Sequence, residues 1–112
     1  MRFRKGSRPG KEGNMEARVI KVLIDVYRVD EAIKIYGECV APAVKLREGG
    51  VGALLLGDRS SGRGFSITLW ENKEKLIEAQ ESGFMQEQIA KFASMFIGTP
   101  DIEALEVMVK DL

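Results

Sequence analysis

An α+β fold is predicted by three observations in this sequence of 112 residues. Apolar residues alternate with period two over 18–28, 64–71 and 102–109, as half-buried strands require, and 51–58 is a short apolar run of strand length. Between these runs lie two stretches with apolar residues three and four apart, the spacing of an amphipathic helix. Glycine and turn residues separate the segments in the order β-α-β-β-α-β. That is the ferredoxin-like split pattern, in which helices cover one face of a four-stranded antiparallel sheet.

The first strand is expected over 18–28, where Ile20, Val22, Ile24 and Val26 alternate with Val19, Lys21, Leu23, Asp25 and Tyr27. Asp30 is placed to cap the following helix through its side-chain oxygen, and Ile33, Tyr36, Val40 and Val44 form the apolar face until Gly49-Gly50. Pro42 lies inside this helix, deletes a backbone donor and predicts a kink or a break. The second strand, 51–58, puts Ala53, Leu54, Leu55 and Leu56 on both faces, so both faces need cover. Turn residues from Asp58 to Gly62 join it as a hairpin to the third strand, 64–71. Asn72 caps a short helix over 73–81, Ser82-Gly83 breaks it, and a further helix over 84–96 aligns Met85, Ile89, Phe92 and Phe96. Gly98-Thr99-Pro100 precedes the fourth strand, 102–109, with Leu105, Val107 and Val109 in alternation.

The helices cover only one face of such a sheet. The other would carry Phe65, Ile67 and Leu69 opposite the side of Trp70, and a homodimer joined sheet to sheet is the expected way to cover it.

Formal net charge is zero, from 17 basic and 17 acidic residues. The balance is uneven: Arg2, Arg4, Lys5, Arg8 and Lys11 against Glu12 give residues 1–14 a charge of +4 and leave −4 on 15–112. Residues 1–14, with Gly6, Pro9, Gly10 and Gly13 among charges, are expected to form a disordered basic leader, and Met15 is an alternative initiator. Residues 15–112 are expected to form a single domain. An acidic body offers no basic face to continue a leader's contact with phosphates, so no nucleic-acid partner is expected. The longest apolar runs, such as 51–57, fall far short of the roughly 20 residues of a membrane-spanning helix.

Histidine is absent, which removes Ser-His-Asp and Cys-His catalysis, imidazole zinc sites and a histidine ligand to haem. The single cysteine, Cys39, excludes an internal disulfide and a cysteine metal cluster, and fits a reducing cytoplasm. With no cationic cluster beside it in sequence, Cys39 is expected to be a small buried residue.

Most remaining polar patterns have plain explanations. The segment Gly57 to Gly64, GDRSSGRG, has phosphate-loop spacing but lacks the Lys-Ser/Thr step, and a strand follows it, so it is expected to be a hairpin loop. Glu71, Glu74, Glu78 and Glu81 are interleaved with Lys73 and Lys75 and suit a solvated helix face. More informative is the strand face carrying Gly64, Ser66, Thr68 and Trp70. Small residues and hydroxyls beside one indole leave room for a cavity and supply hydrogen bonds to its contents.

The run VGALLLGDRSSGRGFSITLWENKEKLIEAQESGFM, ending its hairpin in Trp70-Glu71 before an amphipathic helix, resembles the antibiotic biosynthesis monooxygenase-like domain of the dimeric α/β barrel superfamily. The resemblance implies a ferredoxin-like homodimer whose sheets meet face to face, with a small-molecule pocket between each sheet and its helices. Members include cofactor-independent monooxygenases of aromatic polyketides, quinol-related enzymes and haem-degrading monooxygenases. Trp70 matches the tryptophan that lines the family's pocket. Ser66 stands where the polyketide oxygenases have an asparagine, Leu76 where they have a tyrosine, and Gln80 where the haem degraders have a histidine.

These features carry two expectations. In the first, the protein is a cofactor-free monooxygenase of a small aromatic, phenol or quinol. Trp70 supplies a stacking wall, Ser66, Thr68 and Gln80 orient a phenolic oxygen, and Leu76 keeps the site dry. Asp25 and Tyr27, on one face of the first strand, are the candidates for a general base. In the second, the chain is a non-catalytic dimeric module that binds a small apolar ligand or is purely structural. Neither expectation includes a cofactor or a metal.

Overall fold

The structure is a computed structural model that describes residues 14–112. The leader expected over 1–14 therefore lies, but for Asn14, outside the described residues.

Four strands, β1 (Glu16–Leu23), β2 (Gly50–Gly57), β3 (Arg63–Trp70) and β4 (Asp101–Glu106), form one antiparallel sheet in the order β2-β3-β1-β4. The helices α1 (Val29–Ile35) and α2 (Ala41–Leu46) connect β1 to β2, and α3 (Lys73–Glu81) and α4 (Phe84–Ala90) connect β3 to β4. This is the predicted α+β ferredoxin-like topology.

β1 ends at Leu23, short of the expected Arg28. The Asp25 carboxylate accepts the Tyr27 backbone N–H at 2.9 Å and starts a 3-10 turn, Val26–Arg28, that leads directly into α1. Asp25, rather than Asp30, is thus the capping residue. Asp30 sits in the first turn of α1, where its carboxylate accepts a hydrogen bond from Arg59.

Pro42 neither breaks nor sharply ends the helix. Just before it the chain widens into a π turn, Tyr36–Val40, in which the Ala41 N–H reaches back to the Tyr36 carbonyl. The extra residue in that turn accommodates a proline that can neither donate a hydrogen bond nor pack against a regular preceding turn. Tyr36, Val40 and Val44 remain on the sheet side and are buried, whereas Cys39 falls on the outer side and is exposed, contrary to expectation.

The helical segment expected over 84–96 ends at Ala90 and resumes as a 3-10 turn, Ala93–Met95. The end of β1 draws this chain in: Asp25 N–H bonds to the Met95 carbonyl at 3.0 Å, Ile97 N–H to the Leu23 carbonyl at 2.8 Å, and Ile24 pairs with Phe96. β4 likewise stops at Glu106, so Val107 and Val109 are not in the ladder. Val109 is exposed.

Register fixes the faces. Ser66, Thr68 and Trp70 on β3 lie opposite Ile20, Arg18 and Glu16 on β1, and this row faces the helices. Phe65, Ile67 and Leu69 alternate to the other face beside Leu54 and Leu56, which are 52% and 51% exposed. A bulge between Gly50 and Gly52 sets that phase. The core under the helices has two centres, one around Tyr36, Val44, Trp70, Leu76 and Phe84 and one around Ile24, Ala32 and Met95; Phe92 packs against both. Gly62 closes the hairpin with φ +79°, and a Cβ there would lie 2.0 Å from the Ile24 carbonyl oxygen.

Candidate functional site

A cavity of about 290 Å³ lies between the sheet and the helices. Ile20 and Val22 of β1 and Ile24 just beyond it form its floor with Leu55, Gly64 and Ser66 of the hairpin. Val29, Ala32, Ile33 and Tyr36 close one side, Ile89, Phe92 and Phe96 the other. Asp58, Arg59 and Arg63 line the hairpin end. A second space of about 40 Å³ adjoins it, lined by Arg18, Thr68, Trp70, Leu76, Gln80 and Phe84. Ile20, Val40, Ser66, Gln88 and Ile89 border both spaces and form the junction.

Polar groups concentrate at that junction. The π turn presents Tyr36 to the sheet, where its hydroxyl lies 3.0 Å from the Leu54 carbonyl and 2.9 Å from Ser66 Oγ. A carbonyl oxygen only accepts, so Tyr36 donates to Leu54 and accepts from Ser66. Burial pushes the phenol pKa up and the Ser66 hydrogen bond opposes that shift. Tyr36 is therefore a fixed, protonated hydroxyl rather than a base.

Arg18 is 9% exposed, on the inward phase of β1, and donates to Gln80 Oε1. Burial pushes its pKa down, while the charge of Glu16 acts in the other direction. Among the described residues no carboxylate lies within ion-pair distance of it. Gln88 Oε1 is buried with no donor among the described residues.

Trp70 is 3% exposed and its indole N–H donates to Thr68 Oγ1 at 3.0 Å. Phe84 meets the indole edge-on, with ring centroids 6.1 Å apart. Its one donor is already engaged, so Trp70 offers a wall and no hydrogen bond. Ser66, Thr68, Trp70, Leu76 and Gln80, singled out in the sequence, thus converge on the smaller space, and Ser66 also reaches the larger one.

Asp25 and Tyr27 do not join them. They leave β1 at the 3-10 turn, where Asp25 caps and Tyr27 is 93% exposed. Among the described residues no carboxylate lines the inner space. Asp58, at the hairpin end, accepts from Ser60 and Ser61, and those bonds hold its carboxyl below the usual range. Glu71, Glu74, Glu78 and Glu81 are exposed, as expected of a solvated face.

Tyr36, Arg18 and Gln88 were not singled out by sequence. For Arg18 a signal existed: it shares the period-two phase of Ile20 and Val22, so the strand pattern places a guanidinium inside. For Tyr36 and Gln88 the helical spacing marks a buried face but says nothing of what the hydroxyl or amide meets.

Among the described residues there is no group of three or more His, Cys, Asp or Glu able to hold a metal ion. None of their helices is long and apolar enough to cross a membrane.

No protein-family profile matches the sequence. An uncharacterized protein of Mycobacterium tuberculosis, found in two strains, is 33% identical over 79 residues, or 70% of this chain. The chain spans about a third of that relative's length, 34%. Solved structures align over nearly the whole domain. A Caulobacter crescentus protein provisionally named an antibiotic biosynthesis monooxygenase has a TM-score of 0.69 at 16% identity, covering 88% of this chain and 93% of its own. The heme degrader MhuD of M. tuberculosis, solved with two hemes in its active site, has a TM-score of 0.64 at 20% identity, covering 86% and 98%. The chain accordingly has the ferredoxin-like fold of the antibiotic biosynthesis monooxygenase-like proteins.

Proposed function

We propose that the protein is a cofactor-independent monooxygenase of a small aromatic or quinol-type compound. The observation that carries this reading is the apolar cavity of about 290 Å³ that ends in the fixed polar groups Tyr36 and Ser66 and adjoins the smaller space lined by Arg18. An apolar cavity of about 150 Å³ holds one benzene, so this one has room for about two fused rings. In such a reaction the bound substrate ionises and reduces oxygen itself. One oxygen atom enters the substrate and the other leaves as water, as in R2CH2 + O2 → R2C=O + H2O, which balances without an external reductant. The Ser66 and Tyr36 oxygens, whose own protons are already engaged, would accept from a substrate hydroxyl and so orient it, and the aliphatic walls would pack against the rings.

The donor set does not fit haem, since the chain has no histidine and Gln80 occupies the corresponding place. A second reading, a binding module without catalysis, is favoured by the inner space having no carboxylate around it among the described residues. Air oxidation of a panel of anthrones and naphthohydroquinones separates the two. Turnover above buffer supports the enzyme. Binding without turnover supports the module, and neither binding nor turnover defeats both.

The apolar outer face of the sheet supports a homodimer closed sheet to sheet, with Leu54, Leu56 and Leu105 withdrawn from water. Light scattering that returns a 12.4 kDa monomer at micromolar concentration would remove this part of the reading. The lone Cys39 and the lack of a long apolar helix among the described residues support a cytoplasmic location, testable by fractionation.

A further inference from the structure

Of the groups around the cavity, two are left with unmet hydrogen-bonding capacity among the described residues. The Arg18 side chain lines the inner space, 9% exposed, and among the described residues its one side-chain hydrogen bond is to the neutral oxygen of the exposed Gln80. Glu16, two residues away on the same strand face, acts on Arg18 by its charge without an ion-pair contact, and the guanidinium's five donors form a fork that matches a carboxylate or phenolate oxygen. Gln88 Oε1, at the junction of the two spaces, is a buried acceptor still lacking a donor. The two deficits are complementary to one kind of ligand edge: an acidic oxygen and, beside it, a hydroxyl. The inner space of about 40 Å³ has room for such a substituent but not for a ring.

We propose that the inner space is an oxyanion pocket, in which Arg18 holds an acidic oxygen of a two-ring aromatic ligand and Gln88 accepts a neighbouring hydroxyl. The proposal rests on the ligand-binding reading above and adds the two residues that recognise the acidic edge of the ligand, Arg18 and Gln88, and with them aromatic acids as ligands beside phenols. It also supplies what the missing carboxylate base would have done. A cation stabilises the phenolate directly, so the substrate can bind already ionised, its proton left in bulk water, without a protein base. Arg18 is the group whose field makes the bound oxygen acidic.

Calorimetric titration with naphthalene, 2-naphthol and 2-naphthoate tests this. The two oxygen-bearing compounds separate phenolic from carboxylate recognition, and at least one should bind about ten- to a hundredfold tighter than naphthalene. In Arg18→Met the two oxygen-bearing compounds should bind no tighter than naphthalene binds the same variant, whereas Arg18→Lys should retain part of the preference. In the wild-type protein, which needs no variant to fold, bound 2-naphthol should titrate about one pH unit or more below the free compound, a tenfold change in its ionisation. Equal binding of all three compounds, or a naphthol titration at or above its free value, overturns the oxyanion pocket while leaving the cavity as a ligand site. Binding of none of them overturns both. The single tryptophan gives one indole N–H resonance, which should move with ligands that fill the inner space.

Discussion

Tyr36→Phe and Ser66→Ala, alone and combined, would measure how firmly the polar end of the cavity is built. The Tyr36 hydroxyl makes two hydrogen bonds, to the Leu54 carbonyl at 3.0 Å and with Ser66 at 2.9 Å. At about 1 kcal/mol net for each neutral bond, Tyr36→Phe should lower stability by about 2 kcal/mol and Ser66→Ala by about 1 kcal/mol. For a domain of this size that is a fall in Tm of roughly 10 °C and 5 °C. One bond is common to both substitutions, so the double variant should lose about 2 kcal/mol rather than 3, a coupling of about 1 kcal/mol. Urea unfolding followed through Trp70 fluorescence provides the readout. A pH series adds a second signature. Burial raises the Tyr36 pKa in the folded state, so its contribution is fully present below the unfolded value of about 10 and is lost as pH rises through the folded value. Tyr36→Phe should remove that alkaline loss. Coupling below about 0.3 kcal/mol, or an unchanged alkaline limb, would refute the hydroxyl pair as the organising contact.

Three further outcomes follow from the same geometry. Ala32→Leu, on the buried side of α1 and lining the cavity, should abolish ligand binding by calorimetry while keeping or raising Tm, because a helix-favouring apolar residue fills empty space. Gly62→Ala should destabilise the fold by about 2 kcal/mol or more in urea titration, since its φ of +79° and the Ile24 carbonyl oxygen 2.0 Å from the new Cβ both oppose it. Leu54→Asp, on the outer sheet face where Leu54 is 52% exposed, should convert the proposed dimer to monomer in light scattering with little change in secondary structure by circular dichroism.

Element order, the hairpin and α3 were legible because their signals are local. Asn72 caps α3 at the expected residue, its side chain accepting the Lys75 N–H at 2.9 Å. Misplaced boundaries share one cause, tertiary pairing. The alternation through Tyr27 is as regular as that before Leu23, but the Asp25 cap and the chain returning at Met95 and Ile97 end the strand. The same contacts shorten the second helical segment. For the site, period two placed Ser66, Thr68 and Trp70 together, since a strand face is a straight reading of sequence. Tyr36 and Gln88 come from helices whose depth and rotation over the sheet no local pattern specifies, and Asp25 and Tyr27 failed as candidates along with the strand that carried them.

The π turn has a consequence for how this site can change. A π turn holds one residue more than an α turn, so the segments before and after Tyr36–Val40 are set out of phase by a single removable position. Deleting a residue there, such as the exposed Gly37 or Cys39, would leave Val40 and Val44 seated on the sheet while swinging the preceding half of the helix about 100° around its axis. Tyr36 would leave Ser66, and Ala32 would leave the cavity wall. One codon lost or gained would thereby exchange a whole side of the pocket without disturbing the sheet, so relatives that differ in length at this point are expected to differ in what they bind.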